Sequence, residues 1–328
     1  MKQMNVVVIG GGTGIYPVTA ALRQLDFVSV TTIVAVSDSG GSSGRIRDEF
    51  GFQPVGDLRQ SLAALAEENG QEWIRKLLLY RFEKGEGLKG HNLGNLILTA
   101  LQDMTGTTSE ALFRAQQIFR LEGKVIPATE EYVDLKIVYQ DGTFEIGEDI
   151  LDDEQAEAKL IDHVELTPQA EINEYAAETI EQADLIIIGP GDLYASLIAA
   201  LAANGTKQAF ANSRAKVMYI SNLMTRKTQT QGMSAHDHCA TVEEAIGKPI
   251  DIVLLNSGQI PASILAKYEQ EDEYPIIDDL KNDDRVIKAD IIQKESFAKS
   301  DTDTAHRSVL RHDSNLLRSI LATILEHL

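Results

Sequence analysis

The chain has 328 residues, a formal net charge of −20 and a single cysteine, Cys239. This length suits one large α/β domain or two smaller ones, and one cysteine excludes an intrachain disulfide and a cysteine-rich zinc site. The negative charge argues against nucleic acid or an anionic membrane as the main partner. No apolar run approaches the ~20 residues that span a bilayer, and residues 1–4 lack a signal-peptide segment. We therefore expect a cytoplasmic protein without membrane insertion.

The first predicted strand ends in a glycine-rich turn. Residues 5–14 read Asn-Val-Val-Val-Ile-Gly-Gly-Gly-Thr-Gly, and a helix is predicted over residues 16–25. Glycine lets backbone N–H groups approach a phosphate, and a following helix directs its positive dipole end at the anion. The turn does not complete the G-x-G-x-x-G dinucleotide pattern, because Ile15 occupies the last glycine position. The pattern favours a phosphate site over an NAD site; a tight turn without a ligand is the alternative.

A second strand, predicted at residues 29–36, leads into a loop of small residues. The loop, residues 38–47, combines glycine N–H donors and serine hydroxyls with the charges of Arg45 and Arg47. These are the components of an anion-binding loop, and a solvated loop without a ligand is the alternative.

Two aspartates follow this second strand. Asp38 lies at its end, and Asp57 is predicted to cap a helix over residues 57–68. Together they are candidate ligands of Mg²⁺, and Asp38 is also a candidate partner of a ribose hydroxyl. No other cofactor is indicated.

Helical patterns continue over residues 72–82, 93–104 and 109–121. The break between the first two ranges ends in His91 and Asn92, at the start of an apolar helix. A helix N-terminus with neutral donors suits a phosphate or a reacting hydroxyl. The alternative is that Asn92 only caps the helix and His91 lies at the surface.

Residues 124–166 are predicted to be an antiparallel insertion. Residues 132–139 and 143–146 flank Asp141-Gly142, and Asp-Gly between two such runs is a strong hairpin signal. The acidic residues 148–157 are predicted to be its solvated exit.

The strand–turn–helix pattern returns at residues 184–194, where an apolar run ends in Gly-Pro-Gly-Asp-Leu-Tyr. Two further strands, residues 216–220 and 251–255, are followed by the polar residues 221–225 and 256–258. The carboxyl ends of parallel strands meet at one edge of the sheet, so these polar ends should face one crevice. We therefore predict a Rossmann-like α/β fold with a mostly parallel sheet flanked by helices, forming a single domain over residues 1–328.

Two other segments of the chain contain histidines. His236-Asp237-His238-Cys239 resembles a metal site, but two histidines without a third well-spaced ligand are a weak signal. Residues 304–314 precede a terminal helix, which Asp313 or Ser314 could cap. Arg311 could reach an anion there, with simple surface charge as the alternative.

Taken together, the motifs resemble the gluconeogenesis factor family (YvcK-type) over nearly the whole chain, a family related to the 2-phospho-L-lactate transferases. The matching segments are Gly10-Gly11-Gly12-Thr13-Gly14, Asp38-Ser39-Gly40-Gly41-Ser42-Ser43-Gly44, Gly56-Asp57-Leu58-Arg59, Gly90-His91-Asn92-Leu93-Gly94-Asn95, Gly189-Pro190-Gly191-Asp192-Leu193-Tyr194 and Asn222-Leu223-Met224-Thr225. Their combination and order are specific, whereas each motif alone is not.

The resemblance implies a cytoplasmic, homo-oligomeric protein that binds a UDP-sugar, chiefly UDP-N-acetylglucosamine, with roles in morphogenesis and growth on gluconeogenic carbon sources. Tyr268 and Arg311 match positions that the family uses around the sugar nucleotide, and Asn222 would lie near the base or ribose. The implied ligand-binding residues are Gly10, Gly11, Gly12, Thr13, Gly14, Ser39, Gly40, Gly41, His91, Asn95, Gly189, Gly191, Asp192, Leu193, Ser196, Asn222, Tyr268 and Arg311.

Three functions remain open from the sequence. The first is a UDP-sugar-binding regulator, and the second is an Mg²⁺-dependent transferase that acts on a nucleotide-diphosphate-linked substrate. The third, an NAD-dependent oxidoreductase, is disfavoured by Ile15. A regulatory kinase that modifies Ser314 is a further hypothesis, since phosphate there would repel an anionic ligand beside Arg311.

Overall fold

The computed structural model describes residues 3–66, 71–153, 156–293 and 309–328. Within them, a seven-stranded parallel sheet forms the centre of the molecule, in the order β10-β9-β8-β7-β1-β2-β3. Its strands are β1 (Met4–Gly10), β2 (Val28–Val34), β3 (Lys124–Pro127), β7 (Leu185–Ile188), β8 (Lys216–Ile220), β9 (Ile252–Asn256) and β10 (Val286–Ala289). β1 and β7 are buried apolar runs, as expected for strands covered on both faces. The predicted α/β fold class is confirmed.

Helices connect and flank these strands. They are α1 (Gly12–Arg23), α2 (Gly41–Phe50), α3 (Gly56–Leu65), α4 (Glu72–Leu79), α5 (Leu93–Thr105), α6 (Thr108–Phe119), α7 (Glu174–Glu181), α8 (Ala199–Leu201), α9 (Thr206–Asn212), α10 (Ala235–Ile246), α11 (Ala262–Glu269) and α12 (Ser314–Glu326). A π-helical turn, Leu193–Ile198, follows β7, and a 3₁₀ helix spans Glu148–Asp152. In the described part of the chain, no helix has the length and apolar character needed to cross a membrane.

The small antiparallel sheet contains β4 (Asp134–Tyr139), β5 (Phe144–Ile146) and β6 (Ile161–Thr167), in the order β5-β4-β6. The predicted hairpin is β4 with β5. Lys124–Pro127, however, pairs in parallel with β2 and belongs to the main sheet. The antiparallel insertion therefore begins at Asp134 and not at residue 124. The sequence did not show this, because a short apolar strand has no pattern that distinguishes it from the strands of a neighbouring hairpin.

Three helix starts differ from the sequence prediction. α1 begins at Gly12, four residues before residue 16, and residues 41–47 of the predicted loop form the first turns of α2. α3 has Val55 at its N-cap, so Asp57 lies in its first turn and does not cap it. Glycine and serine are poor helix signals, so the small residues of these turns read as loops.

Candidate functional site

A cleft of about 1280 Å³ opens at the carboxyl edge of the parallel sheet. Residues that follow β1, β2, β7 and β8 line it, among them Gly11, Asp38, Gly191 and Asn222. Ligand pockets usually measure ~300–1,000 Å³, so the cleft has room for an extended ligand with several groups. This position is the usual ligand site of open α/β sheets.

The glycine turns after β1 and β7 pack directly against each other. A Cβ atom on Gly14 would lie 2.5 Å from the Pro190 carbonyl oxygen, and one on Gly11 would lie 2.5 Å from Ser196 Oγ. A Cβ on Gly12 would lie 2.3 Å from the Asp57 carbonyl oxygen. These glycines are therefore required by the close approach of protein segments that form the floor of the cleft.

The helices that begin at the cleft fall into two groups. α1, α2 and α3 have Gly11, Gly40 and Val55 at their N-caps, and none of these side chains caps the helix. By contrast, Asn92 caps α5 by accepting hydrogen bonds from the N–H groups of Gly94 and Asn95, and Asp313 caps α12. The first-turn N–H groups of an uncapped helix are the donors that bind anions at helix N-termini. The cleft thus has three helix starts of this kind.

Two aspartates use donors from those helix starts. The Gly40 N–H donates to Asp38 Oδ1 over 2.9 Å. Burial nevertheless raises the pKa of Asp38, and burial together with the charge of Asp38 raises the pKa of Asp57 to about 7, although the Gly12 N–H opposes this. Burial and the charge of Asp38 also raise the pKa of Glu148. The three carboxyl groups repel one another in a site of low polarity.

A divalent cation would relieve that repulsion. Among the described residues no group of three or more His, Cys, Asp or Glu side chains could hold a metal ion. Mg²⁺ is commonly held by one or two carboxylates, with waters and phosphate oxygens as its other ligands. Asp38 and Asp57 fit that arrangement, and Mg²⁺ bound there would neutralise charge on a diphosphate.

Arginines line the cleft although the whole chain is strongly negative. Arg59 is 5% exposed, and its Nε donates to Asn95 Oδ1 over 2.7 Å. Arg75 lies in α4 and Arg81 lies just after it. Arg226 is in the segment that follows β8, and Arg311 is in the segment that precedes α12. Arginine pairs with phosphate and carboxylate through several parallel N–H donors. The arrangement gives an anion local cations that the net charge would not suggest.

The cleft collects most of the residues predicted from the sequence. Those that line it are Gly11, Thr13, Gly14, Asp38, Gly40, Gly41, Asp57, Asn95, Gly191, Asp192, Ser196, Asn222, Tyr268 and Arg311. The Gly191 N–H donates to Asn222 Oδ1 over 3.5 Å, which joins the turns after β7 and β8. The Tyr268 hydroxyl accepts a hydrogen bond from the Leu310 N–H, which holds the segment that carries Arg311.

Other predicted residues lie behind the cleft lining. These are Gly10, Gly12, Ser39, His91, Gly189 and Leu193. Ser39 Oγ donates to Asp149 Oδ1 over 2.6 Å, and His91 Nδ1 lies 3.3 Å from Ser42 Oγ. Leu193 is 1% exposed in the core, so its side chain cannot meet a ligand.

Two predictions were wrong, one for the polar end of β9 and one for the arginines of the loop after β2. Asn256 does not line the cleft, since its side chain closes a turn with the backbone of Gly258. Arg47 donates to Tyr132 and pairs with Asp134, so it joins α2 to the antiparallel sheet and is not an anion ligand. Arg45 does not line the cleft either.

The acidic exit of the insertion was predicted to be solvated, which holds for the exposed Asp149 and Asp153 but not for Glu148, whose pKa burial raises. Glu148, Asp149 and Asp152 line the cleft, and Asp152 pairs with Arg226 over 2.9 Å. Thr228 Oγ1 donates to the Leu151 carbonyl oxygen, so the 3₁₀ helix is held against the loop that follows β8. These contacts join segments about 75 residues apart, and no local pattern identifies them.

The histidine pair in α10 has a structural role. Ser234 and Asp237 form a capping box at its start, and the buried His238 Nδ1 lies 3.0 Å from the Tyr219 hydroxyl. Burial lowers the pKa of His238 to about 4. Residues 304–308 of the predicted terminal segment lie outside the described residues. Of the two predicted caps of α12, Asp313 is the one that the structure shows. Ser314 is the first residue of that helix and lines the cleft.

The sheet order, the glycine turns and the cleft define a Rossmann-like α/β protein with a cleft at the carboxyl edge of its sheet. A family model described as 2-phospho-L-lactate transferase CofD matches residues 6–296. The chain therefore belongs to the CofD family, as the gluconeogenesis factors that it matches along most of its length confirm.

Two of those relatives show the extent of the similarity. The gluconeogenesis factor of Bacillus subtilis is 35% identical, with 99% of this chain and 99% of the relative covered. That of Halalkalibacterium halodurans is 38% identical, with 85% of each chain covered. A crystal structure of a UPF0052 family member from Bacillus halodurans is 34% identical and has a TM-score of 0.87, with 98% of this chain and 99% of that chain covered.

Proposed function

We propose that this protein is a cytoplasmic gluconeogenesis factor that binds UDP-N-acetylglucosamine in the cleft and regulates morphogenesis and growth on gluconeogenic carbon sources without consuming its ligand. The observation that carries the binding proposal is the convergence of three helix N-termini without side-chain caps on one cleft. Such N-termini are suited to phosphate groups. The names of the relatives support the regulatory role.

The dimensions of the cleft favour a nucleotide diphosphate sugar over a simple phosphate. The lining runs from Gly11 and Ser42 at the helix starts to Tyr268 and Arg311 on the other side. Phosphates would lie at the helix starts, where N–H donors and Arg59 are found. The uncharged ends of the ligand would then extend toward Tyr268 and Asn222.

A transferase is the second candidate, and the Asp38–Asp57 pair favours it. Mg²⁺ held by this pair would neutralise charge on the diphosphate, so that an acceptor hydroxyl could attack phosphorus. Attack of that hydroxyl on phosphorus would release the nucleoside monophosphate. The family model carries the name of a transferase, which is consistent with this alternative.

Two measurements distinguish the regulator from the transferase. Binding of UDP-N-acetylglucosamine is measured by calorimetric titration with and without Mg²⁺, and the ligand is then analysed by phosphorus NMR. Saturable binding of an unchanged ligand supports the regulator. Mg²⁺-dependent breakdown of the ligand, alone or with a hydroxylated acceptor, would replace it with the transferase, and no saturable binding would contradict both.

The Arg311→Ala variant tests the placement of the ligand. We expect at least a tenfold loss of affinity, or about 1.4 kcal/mol, because the end of the ligand near Tyr268 would lose a charged hydrogen-bond donor. Arg114→Ala is the control, since Arg114 is an exposed arginine of α6 that pairs with Glu110 and does not line the cleft. Affinity within about twofold of the wild type would show that Arg311 does not contact the ligand.

A further inference from the structure

Glu273 is a buried carboxyl group in the cleft that neither the sequence motifs nor the glycine turns include. It lies four residues after the end of α11, and it is 5% exposed. Its side chain lines the cleft together with Tyr268 and Arg226. A buried carboxyl group in a cleft usually forms hydrogen bonds or ion pairs with other residues, or it binds a ligand.

The backbone around Glu273 is fixed on both sides. The Glu273 N–H donates to the Tyr268 carbonyl oxygen over 3.0 Å. The Tyr274 N–H donates to Thr225 Oγ1 over 2.9 Å, and the Thr225 N–H donates to the Tyr274 carbonyl oxygen over 2.7 Å. The carboxyl group is therefore presented to the cleft from a rigid support, next to the residues that follow β8.

Arg226 and the Lys227 N–H are the partners of this carboxyl group among the described residues. Glu273 Oε1 lies 3.5 Å from Arg226 Nη1, which is a long contact. Arg226 is shared, because it also pairs with Asp152 over 2.9 Å and lies 3.6 Å from Asp192. Glu273 Oε2 is buried and has no hydrogen-bond partner among the residues that the structure describes. An unsatisfied buried acceptor favours a ligand that brings a donor.

The surrounding charges identify the kind of donor. Burial is the main cause that raises the pKa of Glu273; Arg226 opposes it, and Glu271 and Asp192 add negative charge nearby. A phosphate placed against this carboxyl group would be repelled. An N–H or O–H group that carries no negative charge would be attracted.

We propose that Glu273 binds the uncharged end of the nucleotide sugar, with Oε2 accepting a hydrogen bond from a nucleobase N–H or a sugar hydroxyl. This inference rests on the proposed function, because it assigns an orientation to that same ligand. The phosphates then lie at the starts of α1, α2 and α3, and the base or sugar lies against Glu273 and Tyr268.

The Glu273→Gln variant tests this assignment at nearly constant shape. Its amide oxygen will face Arg226, since an amide NH₂ group opposite a guanidinium would place donor against donor. The NH₂ group then faces the ligand donor, so affinity should fall by at least tenfold. Glu269→Gln is the matched control, because Glu269 is an exposed acid at the end of α11.

Binding is measured for inorganic pyrophosphate, uridine, UDP and UDP-N-acetylglucosamine, and thermal unfolding checks that both variants fold. Weaker binding of uridine, UDP and the UDP-sugar supports a contact with the nucleoside; weaker binding of the UDP-sugar alone supports a contact with the sugar. Unchanged affinities, or an equal loss for pyrophosphate, would contradict the inference while leaving the proposed function intact. A wild-type protein that binds no uridine compound would overturn both.

Discussion

Three helix N-termini at the floor of the cleft differ from three others elsewhere in the fold, although α4, α9 and α11 also lack a side-chain cap. α6, α7 and α10 begin with Thr107, Asn173 and Ser234, whose side chains accept hydrogen bonds from first-turn N–H groups. α1, α2 and α3 have no such cap. A cap contributes about 1 kcal/mol to stability. The cleft helices lack this local stabilisation, and apart from the Gly12 N–H, which donates to Asp57, their first-turn donors are not used by a side-chain cap.

The strongest test of this comparison is Gly12→Ala at the start of α1. The new Cβ would lie 2.3 Å from the Asp57 carbonyl oxygen, so the contact between α1 and α3 must open. We expect a loss of at least about 3 kcal/mol in the free energy of unfolding, and loss of UDP-sugar binding. Chemical denaturation and calorimetry measure the two effects.

Gly40→Ala is its control, because a Cβ there would meet only Asp38 Oδ1, at 3.5 Å. This variant should unfold within about 0.5 kcal/mol of the wild type. If both alanine variants were equally stable, the close approach of α1 and α3 would not be a requirement of the fold.

Asp57→Asn tests the acidic part of the same floor. The pKa of Asp57 is raised from 3.8 to about 7, so its ionisation costs stability as the pH rises through that window. The wild type without ligand should lose stability between about pH 4 and pH 7, and the variant should keep more of it. Near pH 8 we expect the variant to be more stable by on the order of 2 kcal/mol, and the two to converge near pH 4.

Urea unfolding across this pH range, with and without Mg²⁺, measures the effect. Mg²⁺ should stabilise the wild type and leave the variant unchanged, because the variant lacks one of the two carboxylates. A variant that is less stable than the wild type at pH 8 would show that Asp57 makes favourable ionic contacts in the folded protein.

The smallest expected effect comes from placing a cap where the cleft has none. In Gly40→Ser, the hydroxyl can accept a hydrogen bond from the first turn of α2, since Gly40 already has the extended backbone of an N-cap residue. Stability should rise by about 0.5 kcal/mol, because serine both caps the helix and restricts the unfolded chain. UDP-sugar affinity should fall about fivefold, or about 1 kcal/mol, because the ligand and the hydroxyl compete for the same donors.

Thr107→Ala provides the opposite change at a helix far from the cleft lining. Thr107 is exposed and accepts a hydrogen bond from the Glu110 N–H, so its removal should cost about 1 kcal/mol of stability. Ligand affinity should not change. Equal effects of the two substitutions on affinity, measured by calorimetry, would remove the distinction between the two groups of helices.

Local patterns were sufficient for five of the seven strands of the main sheet and for the glycine turns of the cleft, but β3 was assigned to the insertion and β10 was not predicted. The apolar run that ends in Gly10 and the one that ends in Gly189 predicted neighbouring strand ends, and Asp141-Gly142 predicted the hairpin. These features depend on backbone preferences that a few consecutive residues carry. The positions of Gly14 and Gly191 in the cleft follow from the same strand–turn–helix pattern.

The other wall depends on contacts between distant segments. Glu148 follows a hairpin and reads as solvated, yet burial beside Asp38 raises its pKa. Arg226 follows a recognised motif by one residue, but its pairing with Asp152 becomes visible only when the insertion is folded against it. Glu273 lies in a short loop with no periodicity. Such sites arise from tertiary proximity, which a single sequence does not encode in local spacing.

The pairing of β1 with β7 has a consequence for the order of folding. Val6 and Leu185 are neighbours in the sheet although about 180 residues separate them in the chain. Parallel pairing over such a separation forms slowly, because the entropy of closing a long loop is lost before the strands gain any favourable contact. The floor of the cleft therefore assembles late, after local helices and the hairpin. A nucleotide that binds there cannot accelerate the early steps; it slows the opening of a protein that is already folded.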